Sequence, residues 1–252
     1  MIAPLQFGVD FASCTSAILT VSLSKVDRLK AELGRYTTAA PTANTIIYAV
    51  FWCAVTRIRQ RRNPALFPPK CKSQLGMAIN GRARIDPDVS SAEDPYFGNF
   101  NLYALAELQT DRVSVSEKVS AESLAHTCDA IAASNSADKI NASHIVKVCS
   151  LVSRFDKFPA MSPAWSISSG LDLAITSWAN LGVYDMRFGD VLGHPAFVRV
   201  PHAELDSLAI VLPRKSAGVK EISEGVIEVM VMLRRDDRET LQGDEVWRKL
   251  AV

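Results

Sequence analysis

The stretch TIIYAVFWCAVTRIRQRR, residues 45–62, decides the fold. If it is helical, it carries apolar side chains on nearly every face until its basic end, so it must be buried between other elements. The basic end contains Arg57, Arg59, Arg61 and Arg62, near the negative pole of the helix dipole. We interpret this run as a solvated helix end, because no glycine-rich phosphate loop accompanies it.

The segments on either side of this helix predict the elements that surround it. Before it, the β-branched run AILTVSL (17–23) predicts a strand, and KVDRLKAELGRY (25–36) predicts an amphipathic helix that stops at Gly34. After it, LGMAINGRARI (75–85) predicts a strand with an Asn-Gly turn or bulge inside it. Apolar residues from Val115 to Ile131 recur at helical spacing within 114–134 and predict a further helix.

The last third of the chain has a different pattern. Short runs rich in Val, Ile and Leu are separated by glycine and proline clusters, which is typical of strands in one sheet. The runs are LDLAITSW (171–178), AFVRV (196–200), LAIVLPR (208–214) and GVIEVMVML (225–233). Helices followed by these strands indicate an α/β or α+β domain.

Composition excludes several classes of protein. The 252 residues, 48% hydrophobic, suffice for one large domain or two small ones. With 28 Lys and Arg against 27 Asp and Glu, no large net charge attracts nucleic acid or an anionic membrane. The five cysteines are odd in number and lack metal-site spacing, so we expect free thiols in a reducing compartment and no metal. Without a signal peptide or a membrane-spanning run, we expect a cytoplasmic location.

Three ordered motifs are more specific than composition. The first lies in TANTIIYAVFWCAVTRIR (42–59), with Trp52 and a Thr-Arg-Ile-Arg ending. The second, MAINGRARIDPDVSSAEDPYFGN (77–99), contains Arg82 and Arg84 and ends in Tyr-Phe-Gly-Asn. The third, AITSWANLGVYDMRFGDVLGHPAFVRVP (174–201), runs from Thr-Ser-Trp through Arg-Phe-Gly to Leu-Gly-His-Pro.

In this order the motifs resemble the C-terminal half of BAHD-type acyl-CoA-dependent acyltransferases, over roughly positions 17–235. The Leu-Gly-x-Pro element is similar to that of fungal members such as trichothecene O-acetyltransferases. The resemblance implies an α/β, chloramphenicol-acetyltransferase-like half-fold with a mixed sheet flanked by helices. Residues 1–252 would then form a single domain, and the N-terminal domain that carries the catalytic H-x-x-x-D histidine would be absent.

What the resemblance implies for function is transfer of an acyl group from acyl-CoA, a co-substrate, to a hydroxyl or amine, with no bound cofactor. The segment His202-Ala-Glu-Leu-Asp206 fits H-x-x-x-D by letter, but it follows the third motif instead of preceding the first. We therefore interpret it as a solvated loop that matches by chance, and keep His202 as the alternative base.

Thr176 and Trp178 are better candidates for a substrate site. In the family the threonine faces the reacting centre, where its hydroxyl can bond the oxyanion or acceptor, and the tryptophan excludes water. The alternative is a strand with a packed tryptophan.

The resemblance also implies a structural motif formed by Arg82, Arg84, Phe188 and Gly189. An aspartate of the family pairs with an arginine of the R-x-R strand. Here Arg187 stands in its place, so attraction becomes repulsion unless Asp185 or Asp190 takes over.

Two functions from different classes follow. The first is an acyltransferase acting on a secondary metabolite in a fungal pathway, with its base supplied by a separate N-terminal half, another subunit of a homo-oligomer, or His202. The second is a truncated, non-catalytic remnant or binding module with an exposed apolar face. A truncated gene product that normally carries the missing motif is also consistent with the sequence.

Overall fold

Six strands form one mixed sheet in the computed structural model, which describes residues 13–65, 67–68, 70–91, 93–113, 119–155, 170, 172–214 and 225–252. The strands are β1 (Cys14–Ser22), β2 (Lys72–Asn80), β3 (Asn101–Gln109), β4 (Leu173–Ser177), β5 (Leu208–Val211) and β6 (Val226–Arg234). Their order across the sheet is β1-β6-β5-β4-β2-β3. The central strands β5, β4 and β2 run parallel, and all other neighbours are antiparallel.

Eight helices accompany the sheet in the described residues. They are α1 (Leu23–Leu33), α2 (Ala43–Arg62), α3 (Arg82–Ile85), α4 (Thr110–Val113), α5 (Ala121–Ser134), α6 (Ala142–Val152), α7 (Gly189–Leu192) and α8 (Arg235–Gly243). Short 3₁₀ turns occupy Pro87–Ser90, Val183–Asp185 and Trp247–Lys249. The mixed sheet with flanking helices agrees with the fold class that the sequence predicts.

The expected buried helix is α2. Every residue from Ile46 to Arg59 is buried, and Thr42 caps its start by accepting a hydrogen bond from the backbone N–H of Thr45 at 3.1 Å. Trp52 is fully buried and its Nε1 donates to Ser73 Oγ of β2 at 2.8 Å, which ties the helix to the sheet. The prediction that Trp52 is a core residue is confirmed.

The two faces of the sheet differ. Leu173 and Ile175 of β4 belong to the main hydrophobic core, which also includes apolar residues of α1, α2, α5 and α8. The opposite face carries a small second cluster of Ile210, Leu212, Met230 and Met232, and much of the rest of that face is exposed. Within the described ranges, therefore, all four of these helices cover one face of the sheet.

Two local predictions were wrong. No strand forms over 196–200: in the described residues its backbone pairs with no strand of the sheet, although Val200 packs against the second cluster and Arg199 pairs with Glu228 of β6. The R-x-R pair does not continue a strand either, since β2 ends at Asn80 and α3 follows. Gly81 makes this bend possible, because a Cβ there would lie 2.7 Å from Phe100 Cδ1. The predicted helix over 114–134 begins at Ala121, and Val115 lies outside the described residues.

The basic end of α2 is buried, so its interpretation as a solvated helix end was wrong for Arg57 and Arg59. The Arg59 side chain is 1% exposed, and its Nε donates to Asp237 Oδ2 of α8 at 3.2 Å. Its other two nitrogens donate to Asp206 Oδ1 at 2.7 Å and to the carbonyl of Gly170 at 3.0 Å. Acidic residues far away in the sequence supply the partners, and no local pattern around α2 reveals them.

Replacing Arg59 tests how much this buried pair contributes. We expect Arg59→Met to lower the free energy of unfolding by about 3–5 kcal/mol, because it leaves the fully buried Asp237 carboxylate with one cationic partner fewer. Urea denaturation followed by circular dichroism gives the measurement. The matched control is Arg61→Met, whose side chain is 58% exposed and should change stability by less than about 0.5 kcal/mol. Equal effects of the two substitutions would contradict a structural role for the buried guanidinium.

Candidate functional site

Strand β4 presents the two side chains that the sequence predicts for a substrate site. Thr176 and Trp178 are half-buried on the face of the sheet opposite the helices, because strand residues alternate sides and Ile175 points into the main core. Trp178 packs against the second cluster, and its backbone N–H donates to the Val211 carbonyl at 2.8 Å. The structure thus brings both residues to one surface, with the indole as an apolar wall.

Tyr48 of α2 meets the same motif from the helix side, and the sequence analysis missed it. Burial raises the pKa of its hydroxyl to about 12, an effect that a hydrogen bond with the Ser177 side chain partly offsets. The phenol therefore stays protonated at neutral pH. Tyr48 lies in the second turn of α2 among apolar residues, so its hydroxyl is the only sequence signal that could have drawn attention to it.

The buried cysteines are unsuited to act as nucleophiles. Burial raises the pKa of Cys53 and of Cys128 to about 12, so their reactive thiolate forms are scarce at neutral pH. None of the five cysteines, which all lie in the described part of the chain, forms a disulfide. No group of His, Cys, Asp or Glu in the described part of the chain has a geometry that could hold a metal ion.

Arg82 connects two parts of the second motif that the sequence separates. Its Nε donates to the Tyr96 carbonyl at 2.9 Å, and its terminal nitrogen Nη2 donates to the Gly98 carbonyl at 2.6 Å. The Tyr96 ring also lies 5.9 Å from the guanidinium carbon. Arg82 therefore shapes the Tyr-Phe-Gly segment, which supports a structural role.

Arg84 points elsewhere. It donates to the backbone carbonyl and side-chain oxygen of Asn135 and to the Ile140 carbonyl, which joins α3 to the connection between α5 and α6. Arg187 itself pairs with Asp190 at 2.7 Å in solvent, so Asp190 compensates its charge locally.

Phe188 and Gly189 lie in a loop closed by its own backbone. The Phe188 N–H donates to the Gly193 carbonyl at 2.8 Å, and the Gly193 N–H donates to the Gly189 carbonyl at 3.0 Å. Gly189 has φ of +80° and Gly193 has φ of +65°, conformations that favour glycine. These hydrogen bonds fix the conformation of the loop, and the Phe188 side chain stays exposed.

This loop belongs to an apolar surface that we call the 181–197 segment. Tyr184 of this segment is buried, but six of its large apolar side chains are more than half exposed: Leu181, Met186, Phe188, Val191, Leu192 and Phe197. Val191 is 97% exposed and Leu192 is 77% exposed. Exposed apolar residues concentrated in one segment are unusual for a monomer surface and mark interaction sites.

His202 lies in an exposed loop away from Thr176. Its Nδ1 is hydrogen-bonded to Ser16 Oγ of β1 at 2.8 Å, and its side chain is 61% exposed. Strands β1 and β4 are three positions apart in the sheet, so the imidazole lies roughly 14 Å from the strand that carries Thr176. A base must approach its proton to about 3 Å, and this arrangement does not bring His202 to Thr176.

The aspartate of the H-x-x-x-D match, Asp206, binds other partners than His202. Asp206 accepts from Arg59 and from the backbone N–H groups of Ser207 and Arg234. The carboxylate near His202 is Glu204, at 3.9 Å, which is too long for a hydrogen bond. The solvated-loop interpretation of His202 agrees with this geometry.

Comparison with known proteins was made at the levels of family, sequence and fold. The model of the Transferase family matches residues 11–245. The chain is 26% identical over 230 residues to O-acetyltransferase ptmV of Penicillium ochrochloron, covering 84% of the chain and 44% of that protein. It is 28% identical over 244 residues to trichothecene 8-O-acetyltransferase of Fusarium sporotrichioides, covering 91% of the chain and 48% of that protein. The chain thus spans about half the length of the curated relatives it matches.

Solved structures with the same fold also extend beyond this chain. F. graminearum TRI101 complexed with coenzyme A and T-2 mycotoxin superposes with a TM-score of 0.75 at 19% identity, over 98% of this chain and 51% of that one. Vinorine synthase superposes with a TM-score of 0.63 at 16% identity, over 94% and 48%. At these identities the likeness defines the fold alone. No helix in the described part of the chain has the length and apolarity needed to cross a membrane.

A double-mutant cycle tests whether His202 and Asp206 act as a pair. We expect His202→Ala to cost less than about 0.5 kcal/mol of stability, because the ring is exposed. Asp206→Asn should cost about 1.5–3 kcal/mol, since it removes the charged acceptor of Arg59. The double variant should equal the sum within about 0.5 kcal/mol. A coupling energy above about 1 kcal/mol would show that the two side chains interact.

Proposed function

We propose, from the premise that this chain belongs to the Transferase family, that it forms one half of an enzyme that transfers an acyl group from acyl-CoA to a secondary metabolite. The acceptor group would be a hydroxyl or an amine, and the pathway a fungal one, as in the fungal O-acetyltransferases that the chain resembles. Acyl-CoA is the co-substrate in this proposal, and the cytoplasm is its setting.

The observation that carries the proposal is the half-buried pair on β4. Thr176 and Trp178 occupy the face of the sheet that the helices leave uncovered, at the position of the Thr-Ser-Trp motif. A hydroxyl held on a strand and backed by an indole is preorganised, because neither group needs to reorient to meet a developing oxyanion. Thr176 would donate to that oxyanion, and Trp178 would exclude water from the thioester.

In this proposal the general base comes from outside this chain. We infer that the H-x-x-x-D histidine of a separate N-terminal half, or of a longer product of the same gene, takes the proton from the acceptor. The acceptor oxygen or nitrogen then attacks the thioester carbonyl, and the bond between carbon and sulfur breaks to release coenzyme A as the thiol. The 181–197 segment supports this inference, since its exposed side chains offer a surface for such a partner.

The second candidate is a binding module without chemistry. The distance between His202 and β4 favours it, because the described residues around Thr176 then include no histidine base from that loop. Such a module would retain part of a coenzyme A or acceptor cleft, with a ligand or a second copy of the chain as its partner. An assay with an N-terminal half that carries H-x-x-x-D separates the two candidates, because only the first predicts that acyl transfer then occurs.

An activity assay tests the proposal. We expect the 252-residue chain alone to release no thiol from acetyl-CoA with a panel of alcohols and amines, and His202→Ala to behave identically. A product in which an N-terminal segment carrying H-x-x-x-D precedes this chain should release coenzyme A. In that product Thr176→Val should lower kcat about 10²–10³-fold, the usual effect of losing one oxyanion donor.

Two results would count against this assignment. Thiol release by the chain alone that disappears in His202→Ala would make that histidine the base. An active extended product in which Thr176→Val changes nothing would remove Thr176 from the site. In each case the unfolding midpoint of the variant shows whether the fold is retained.

The partner surface can be tested without catalysis. We expect the chain to bind an apolar fluorescent dye and to self-associate, and Val191→Asp with Leu192→Asp to remove most of both effects. Since these side chains are mostly exposed, stability should change by less than about 1 kcal/mol. The matched control is Val146→Asp on α6, an exposed valine outside the segment. Equal dye binding by all three proteins would place the apolar surface elsewhere.

A further inference from the structure

A basic cavity lies on the helix-covered side of the sheet, between α1 and the turn Trp247–Lys249. Its volume is about 260 Å³. The lining residues are Lys25, Arg28, Leu29, Glu32, Arg248 and Lys249. The cavity adjoins β1, the edge strand, whereas Thr176 lies on the other face of the sheet three strands away.

The charges around this cavity are not balanced. Four cationic side chains face one carboxylate, that of Glu32, which leaves a formal charge of +3. In the described ranges, no hydrogen bond or ion pair engages the side chains of Arg28, Arg248 or Lys249. The arginines at the end of α2 differ, because Arg57 and Arg59 are each paired with acidic residues. Like charges gathered without partners repel one another, and an anion between them would remove that repulsion.

The cavity is also held in shape before any ligand arrives. Lys25 Nζ donates to the Ala251 carbonyl, which joins the first turn of α1 to the C-terminal turn. The Ser22 N–H donates to the Leu250 carbonyl at 2.8 Å, which connects the same two elements through the backbone. Trp247 and Leu250 are buried in the main core, so the turn carrying Arg248 and Lys249 is anchored on both sides. The cations therefore project from fixed elements, which lowers the ordering cost of binding.

We propose that this cavity binds a compact phosphate-bearing anion of the size of a diphosphate. Guanidinium groups match phosphate oxygens in pairs, and Arg28 and Arg248 approach from opposite walls while Lys25 and Lys249 add point charges. The volume lies below the roughly 300–1,000 Å³ of pockets for drug-sized ligands, which favours a small, highly charged group over a large apolar one. Free diphosphate and the phosphates of a nucleotide share this chemistry.

Isothermal titration calorimetry at low ionic strength tests the proposal, with inorganic pyrophosphate and adenosine 3′,5′-bisphosphate as the two probes. We expect saturable binding with one ligand per chain for at least one probe. Arg28→Ala and Arg248→Ala should each weaken it about tenfold or more, the loss of a charge-assisted contact of about 1.4 kcal/mol. Glu32→Gln should strengthen binding several-fold, because it removes the one carboxylate.

Controls separate a site from general attraction to a protein surface. Lys147→Ala removes an exposed cation on α6, outside the cavity, and should leave the affinity unchanged. All substituted residues are exposed, so each variant should retain its unfolding midpoint. Binding of pyrophosphate alone identifies a free diphosphate, and binding of the bisphosphate alone identifies a nucleotide as the source. No saturable binding of either probe at millimolar concentration, or binding that Arg28→Ala and Arg248→Ala leave unchanged, would overturn the proposal.

Discussion

The buried guanidinium of Arg59 is the interaction on which the arrangement of this chain depends. Near its end α2 buries two charged side chains, those of Arg57 and Arg59, inside the protein. Burying a charge is costly unless it is paired and fully hydrogen-bonded. Arg59 meets that condition by binding Asp237 of α8, Asp206 before β5 and the backbone at Gly170. One side chain thereby fixes three segments that enter or leave the sheet on different strands.

Local pattern predicted much of this fold. The β-branched run before Ser24, the apolar helix over 45–62 and the late Val-rich runs correspond to β1, α2, β4, β5 and β6. Periodicity could identify these elements because burial imposes it. The R-x-R pair was misassigned because the strand pattern continues through Asn80, whereas in the folded chain α3 begins at Arg82. The solvated interpretation of Arg59 failed because its two acidic partners lie more than 140 positions away in the sequence.

The candidate site was predictable in part. Three ordered motifs identified the acyltransferase family correctly, and Thr176 and Trp178 do share one face of the sheet. The spacing of His202 and Asp206 carried no information about contact, because in the folded chain one binds Ser16 and the other binds Arg59. Tyr48 was invisible to motif reasoning, since only the packing of α2 on β4 brings its hydroxyl to Ser177. Residue spacing within one element cannot predict a site whose side chains come from several elements.

The pairing of β1 with β6 has a consequence for how the chain folds while it is being synthesised. Residues Cys14–Ser22 hydrogen-bond with Val226–Arg234, so β1 cannot pair with β6 until the end of the chain has been synthesised. At ribosomal rates of about 5–20 residues per second, the roughly 200 residues between them take about 10–40 s to emerge. During that interval β1 exposes an unsatisfied backbone edge. The apolar side chains of β1 and α2 are also exposed, because their burial requires the completed sheet. Until β6 has been synthesised, therefore, β1 and α2 leave exposed the surfaces that the completed sheet covers.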